Sequence, residues 1–206
     1  MARRQKVGLE NSATRTALLD AAELLMQEEG YAAVTSRRIG ARAGVKPQLV
    51  HYYFRTMDDL FIALFQRGAE RGLQAAAQAL ESDQPLRVLW EQSRDPTHVA
   101  LNLEFMALAN HRKALRAEMG QYGDRLRKIQ QEALARHFSL RGVAPQLPPG
   151  VVTLLMASIG QVLVLEATIG MSNAHEETEA LVEDYLRRFE ATDAVLPEIK
   201  RGAGEG

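Results

Sequence analysis

Two observations on this 206-residue chain predict an all-α fold. Apolar residues recur three and four positions apart along most of its length, the spacing that gathers them on one helical face. Glycine, proline and capping residues divide that pattern into about nine helical segments, and no run alternates with the period of two that a strand needs. Composition agrees, since 46% hydrophobic and 25% charged residues are ordinary for a globular chain with ample length for a core.

The first helix is expected over Ser12 to Glu29, with Leu18, Ala21, Ala22, Leu25 and Met26 as its apolar face. Gly30 ends it and Tyr31 follows as an anchor. Thr35 caps a short second helix, on which Ile39 and Ala43 share a face and Arg37, Arg38 and Arg42 lie largely opposite. Gly44 suits the left-handed end of that helix, and Pro47 the first turn of a third helix reaching about Tyr53. Two short helices joined by so tight a turn make a helix-turn-helix. Val34 and Ile39 then close a three-helix unit, with Val50 and Tyr53 in its core.

Thr56 with Asp59 forms a capping-box pattern for the next helix, in which Leu60, Phe61, Leu64 and Phe65 face inward. Gly68 and Gly72 within it permit close packing or a bend. Asp83-Gln84-Pro85 and Asp95-Pro96 read as two further starts, each with aspartate as cap. A long amphipathic helix follows over about Arg112 to Phe138, buried through Leu115, Met119, Tyr122, Leu126, Ile129, Ala133 and Leu134. Arg141 to Gly150, with three prolines and two glycines, is a loop. Val151 to Met171 has the length of a membrane span, but Gln161 and Glu166 interrupt it and no basic flank follows. A helix buried between two protein surfaces is the expectation, without membrane association. Asn173 with Glu176 resembles a capping box for the last helix, whose stripe is Ala180, Leu181, Tyr185, Leu186 and Phe189, and the tail after Pro197 frays.

Charge divides the chain. Residues 1–55 carry nine Lys/Arg against five Asp/Glu, a net of +4, and residues 56–206 carry sixteen against twenty-one, a net of −5. A basic N-terminal part on an acidic remainder points to a polyanionic partner for the first part. Arg3, Arg4 and Lys6 form either an arm that reaches DNA or a solvated tail. The absence of cysteine excludes disulfides, thiol catalysis and cysteine-ligated metals. With no apolar h-region after the basic N-terminus, a cytoplasmic location is expected. His98, His111, His137 and His175 lack the pairing with acids of a metallohydrolase, and no nucleophile motif occurs, so neither catalysis, a metal nor a cofactor is expected.

Arg15 through Leu60 resembles the N-terminal domain of the TetR (tetracycline-repressor-type) family of transcriptional regulators. The resemblance rests on Ala21-Ala22, Glu29-Gly30-Tyr31, Thr35…Ile39…Ala43-Gly44-Val45, Tyr53-Phe54 and Asp59-Leu60. It implies a DNA-binding domain over 1–56 and a ligand-binding and dimerisation domain over 57–206. The DNA-facing set is then Thr35, Arg37, Arg38, Lys46, Gln48, Leu49, His51 and Tyr52. Gln48 can read a base edge, Leu49 a thymine methyl, and Lys46, His51 and Tyr52 phosphates, with Thr35, Arg37 and Arg38. The chain departs from common family choices at Gln48, Leu49, His51 and Met57. The resemblance further implies a repressor, released from a palindromic operator by a small, largely apolar effector. Candidate pocket residues are Trp90, Leu103, Phe105, Met106, Met119, Tyr122, Met156 and Ile159. A homodimer would form through residues 151–171 and 175–191. An activator of the same fold and a helical protein-interaction module are the alternatives. Glu104, Gln161 and Glu166 stand in apolar runs, where a buried polar group needs a partner.

Overall fold

The computed structural model describes residues 2–142 and 146–190, with side chains from Ala13 onward. The proposed arm side chains of Arg3, Arg4 and Lys6, and the tail after Pro197, lie outside what is described. Nine α-helices and no strand occur among the described residues. They are α1 (Ala2–Glu29), α2 (Ser36–Arg42), α3 (Gln48–Tyr53), α4 (Met57–Ala79) and α5 (Pro85–Ser93). Then come α6 (Pro96–Ala109), α7 (Lys113–Leu140), α8 (Pro149–Thr168) and α9 (His175–Glu190). A single 3₁₀ turn, Tyr31–Ala33, joins α1 to α2. Helix α1 begins ten residues before the expected Ser12, since Gly8 alone costs only about 1 kcal/mol and no proline precedes it.

Burial forms two apolar clusters. The first joins Leu18, Leu25, Val34, Ile39, Val50 and Phe54 to Leu60, Phe61 and Leu64 of α4, and extends to Phe105 and Leu108 of α6 and Leu115 of α7. The second joins Leu80, Leu86, Trp90, Leu134, Phe138, Met156, Leu163, Val182 and Leu186. Leu18, Ile39 and Leu60 are wholly buried, and each such side chain contributes about 1.5–3 kcal/mol.

Helix α4 runs between the clusters. Its start carries the expected capping box: Asp59 N–H donates to the Thr56 hydroxyl at 3.0 Å, and Thr56 N–H to the Asp59 carboxylate at 3.1 Å. Arg67 ties it to α1 through Asp20 at 2.6 Å and Glu23 at 2.5 Å. Of its two inner glycines, only Gly72 permits a close approach, because a Cβ there would stand 3.0 Å from the Tyr122 hydroxyl of α7.

Three expected caps have different outcomes. Asp95 caps α6, its Oδ1 accepting from Thr97 N–H at 2.9 Å and His98 N–H at 3.3 Å. Asp83 does not cap α5; Gln84 holds the cap position and makes no side-chain bond. The amides of α5 still need an acceptor, and Glu190 at the end of α9 supplies it, accepting from Arg87 N–H at 2.9 Å. Asn173 is not the cap of α9, which begins at His175 after Ala174 has turned through the left-handed region (φ 63°). Helix α9 is further held by Arg87–Glu183 at 2.9 Å and Arg94–Glu179 at 2.5 Å. Its inward side is Val182, Leu186 and Glu190, whereas Leu181, expected inside, is 68% exposed.

Helix α8 was expected between two surfaces and meets only one in the single chain. Val152, Thr153, Met156, Gly160 and Leu163 face inward, while Leu154 (51%), Leu155 (44%) and Val162 (47%) are exposed. By length and composition it is, among the described residues, the one helix able to cross a membrane. Gly160 sets its approach to α5: a Cβ there would lie 2.7 Å from the Ser93 Cβ and 3.0 Å from the Ser93 carbonyl carbon. No rotamer of Ser93 relieves a clash with its backbone. Gly160→Ala should therefore lower the urea midpoint by an amount equivalent to about 1–3 kcal/mol. An unchanged midpoint would show that α5 and α8 can separate freely.

Burial raises the carboxyl pKa of Glu190, an effect larger than the opposing help from the Arg87 and Leu86 amides and nearby arginines. A carboxyl whose folded pKa is raised favours folding most below its unfolded pKa, and that contribution is lost as pH rises through the folded value. Glu190→Gln keeps an acceptor for α5 and should remove this loss above the ordinary carboxylate range. Glu190→Ala should cost about 1 kcal/mol as a lost cap. Thermal melts of the three proteins across pH will test both.

Candidate nucleic-acid interface

The turn between α2 and α3 is built by backbone contacts. Thr35 caps α2, its hydroxyl accepting from Arg38 N–H at 3.4 Å. At the other end Gly44 adopts φ 68°, Val45 N–H donates to the Gly40 carbonyl at 2.9 Å, and Gly44 N–H to Ala41 at 3.4 Å. These two bonds are the Schellman pair that closes a helix on a left-handed glycine. Gly40 is indispensable in a different way. A Cβ there would lie 2.9 Å from the Val45 carbonyl oxygen and 3.1 Å from Pro47. Sequence reasoning passed over it, although a glycine inside so short a helix marks a close backbone approach.

This turn seats α3 with Val50 wholly buried and Tyr53 packed against the first cluster. Lys46, Gln48, His51 and Tyr52 are exposed, Tyr52 at 71%, and Leu49 is half-buried. Gln48 is the first residue of α3, at the end that reaches bases when such a helix enters a groove. Thr35 and Arg37 are exposed on the adjoining helix start. Arg38 is half-buried and engaged by Glu29, and Arg42 grips Glu28 with two bonds of 2.6 and 2.7 Å. The bond from Arg42 holds the Glu28 carboxyl below its ordinary range. These pairs fasten α2 to the end of α1, and such contacts between elements leave no mark in a linear pattern. Arg15 stacks its guanidinium over Phe54 at 5.1 Å, and Arg55 adds an exposed cation beside α3.

A link to the rest of the molecule starts two residues after α1. Glu104 of α6 accepts from Tyr31 N–H at 2.7 Å. Tyr31 thus anchors through its amide, while its ring, expected to anchor, is 39% exposed. Gly30 makes room, since it holds φ 80° and a Cβ there would stand 3.2 Å from the Glu104 carboxylate.

The opposite face of α6 helps enclose a cavity of about 420 Å³, walled by α4, α5, α6, α7 and α8. Of the eight predicted pocket residues, Met119 and Tyr122 line it. Trp90, Phe105 and Met156 are buried in the two apolar clusters, Leu103 and Met106 are about half exposed, and Ile159 borders a shallower recess between α8 and α9. Aromatic and methionine residues at helical spacing identify packing and do not distinguish which packing surrounds a void. Tyr122 packs edge-on against Phe65 at 5.6 Å, and burial pushes its phenol pKa up. Glu166 pairs with His175 at 2.8 Å, and Gln161 lines the cavity. No group of three or more metal-ligating side chains occurs among the described residues.

An exposed short helix on a capped, glycine-closed turn, joined to a helical bundle that holds a cavity, defines a helix-turn-helix protein with a helical body. Residues 18–64 match the model of the bacterial regulatory proteins of the tetR family. The N-terminal domain of the chain is thus similar to the DNA-binding domain of that family. It is 34% identical over 131 residues to the HTH-type transcriptional regulator BetI of Rhizobium meliloti, a match covering 59% of this chain and 64% of that relative. The chain thus spans just under two thirds of the relative it matches. Its fold is similar to a transcriptional regulator from Saccharomonospora viridis solved in complex with choline (TM-score 0.73, 16% identity, 85% of this chain and 96% of that one). It is also similar to a TetR transcription regulator from Haloarcula marismortui (TM-score 0.69, 22% identity, 86% and 98%).

Gly40→Ala should cost more than the roughly 1 kcal/mol gained from alanine's helix propensity, because the clash is with backbone. Loss of α2 and α3 amide protection in hydrogen exchange, with α7 protection retained, is the expected readout.

Proposed function

We propose that the chain is a ligand-responsive DNA-binding transcriptional regulator, a repressor that occupies a palindromic operator as a homodimer. The observation that carries this reading is the exposed face of α3, where Lys46, Gln48, His51 and Tyr52 stand on a turn fixed by Gly40 and Gly44. The match of residues 18–64 to the tetR-family model and the basic charge of residues 1–55 support it. Gln48 reads a base edge and Leu49 meets an apolar base edge; Thr35, Arg37, Lys46, His51 and Tyr52 hold phosphates. Arg38 joins them by exchanging Glu29 for a phosphate, or positions α2 from where it is. Residues 1–56 serve as the reading head, and residues 57–206 as the sensing and pairing body.

A single head contacts few phosphates, and a two-fold pair would set two α3 helices about 34–36 Å or a multiple apart. The apolar side of α8 left uncovered in the single chain, and the exposed Leu181 of α9, support pairing through residues 151–171 and 175–191. The relatives are regulators, and no catalytic role is assigned to any residue.

Selection of bound genomic fragments, followed by titration against the recovered duplex, tests the reading. Affinity should fall by about 10³-fold or more between 50 and 200 mM salt for a dimer neutralising 6–10 phosphates. The reading is abandoned if no fragment is bound in a salt-sensitive way. Gln48→Ala should lose about 1–3 kcal/mol of discrimination at one symmetric pair of positions. Arg37→Ala should weaken all sequences alike and reduce the salt slope by about one per half-site. Equal effects from both substitutions would refute the division into base and phosphate contacts.

A further inference from the structure

The cavity has a chemical bias that its apolar walls conceal. Seven arginines are half-buried among the described residues, and six of them already hold an acceptor within the chain. Arg38, Arg67, Arg87, Arg94 and Arg112 each hold a carboxylate. Arg141 donates to the carbonyls of Glu190 and Asp83. Arg127 lines the cavity, and among the described residues no carboxylate stands within ion-pair distance of it. Gln130, one turn further along α7, and Gln161 of α8 line the same cavity, both half-buried. Neither amide has a hydrogen-bond partner among the described residues. A guanidinium has only donors to offer, so the partner that Arg127 can take from a ligand is an acceptor.

The acid in the lining does not cancel this bias. Asp95 spends one oxygen on the Thr97 and His98 amides, where its charge meets the positive end of α6. Tyr122 is the one phenol or indole in the lining, so the several aromatic faces that would cage a quaternary ammonium are not assembled.

We propose that the cavity binds an amphiphilic organic anion, its carboxylate held by Arg127 and its apolar part lying against Val99, Met119 and Leu126, with the amides of Gln130 and Gln161 as further polar groups of the same lining. This rests on the ligand-responsive reading and names the class of its effector. A planar guanidinium matches a carboxylate with two parallel bonds. A volume of about 420 Å³ lies in the range of small-molecule sites.

The test uses the full-length protein without DNA and two matched probe sets: octanoate, octanamide and octylammonium, then benzoate, benzamide and benzylammonium, with choline alongside. Calorimetric titration and thermal melting should show at least one carboxylate binding about tenfold or more tightly than its amide, the order expected for a charge-assisted bond. Arg127→Gln should abolish that preference, while Arg127→Lys keeps part of it. The comparison of acid with amide on the parent protein stands even if a variant folds poorly.

The proposal is overturned if neither carboxylate binds at millimolar concentration or if neither binds better than its amide. A preference for the ammonium probes or choline, or a folded Arg127→Gln that retains the preference for the acid, overturns it equally. Because DNA takes no part in these measurements, their failure leaves the regulator reading intact. Loss of salt-sensitive duplex binding would remove that reading without touching the titrations.

Discussion

The continuity of α4 is the constraint on which the other arrangements depend. Its first turns lie in the cluster that supports the helix-turn-helix, and the residue that ends it, Leu80, lies in the second cluster. Between them Arg67 and Arg71 converge on Glu23 of α1, and Gly72 admits Tyr122 from α7. One helix therefore carries the helix-turn-helix at one end and walls the cavity near the other. A break at its exposed glycine, Gly68, would uncouple them; Arg67 and Arg71 on either side of it both bond Glu23.

Much of this was legible in the sequence, for a physical reason. Caps, left-handed glycines and helical apolar spacing are local, so Thr35, Gly44, Asp95 and the Thr56–Asp59 box announced themselves. Asp83 and Asn173 looked equally good as caps and failed, because tertiary contacts decided those helix starts. Glu190 arrives at α5 from a residue more than a hundred positions away, and Ala174 takes the turn that leaves Asn173 one position outside α9.

The cavity was the least legible part. Hydrophobic type identifies residues that avoid water, and the chain uses most of them as packing: Trp90 is only 2% exposed within the second cluster. What sets Arg127, Gln130 and Gln161 apart is polarity left without an internal partner, which becomes visible only when all the pairs are drawn. Glu104, Gln161 and Glu166 were conspicuous together in the sequence and have separated. Glu104 joins the head and Glu166 meets His175, while Gln161 faces the void.

The junction around Glu104 bears on how such proteins can be recombined. Glu104 takes the Tyr31 amide, Arg112 bonds Asp58 at 2.7 Å and stacks over Phe61, and Phe105 and Leu115 complete the first cluster. The head is therefore no interchangeable cassette ending at residue 56. A chimera cut there would transplant the helix-turn-helix without the ledge it rests on, stranding an amide and opening an apolar surface on both halves. A graft that preserves the native seat must carry α6 and the first turns of α7 with the head, or match them residue for residue in the recipient.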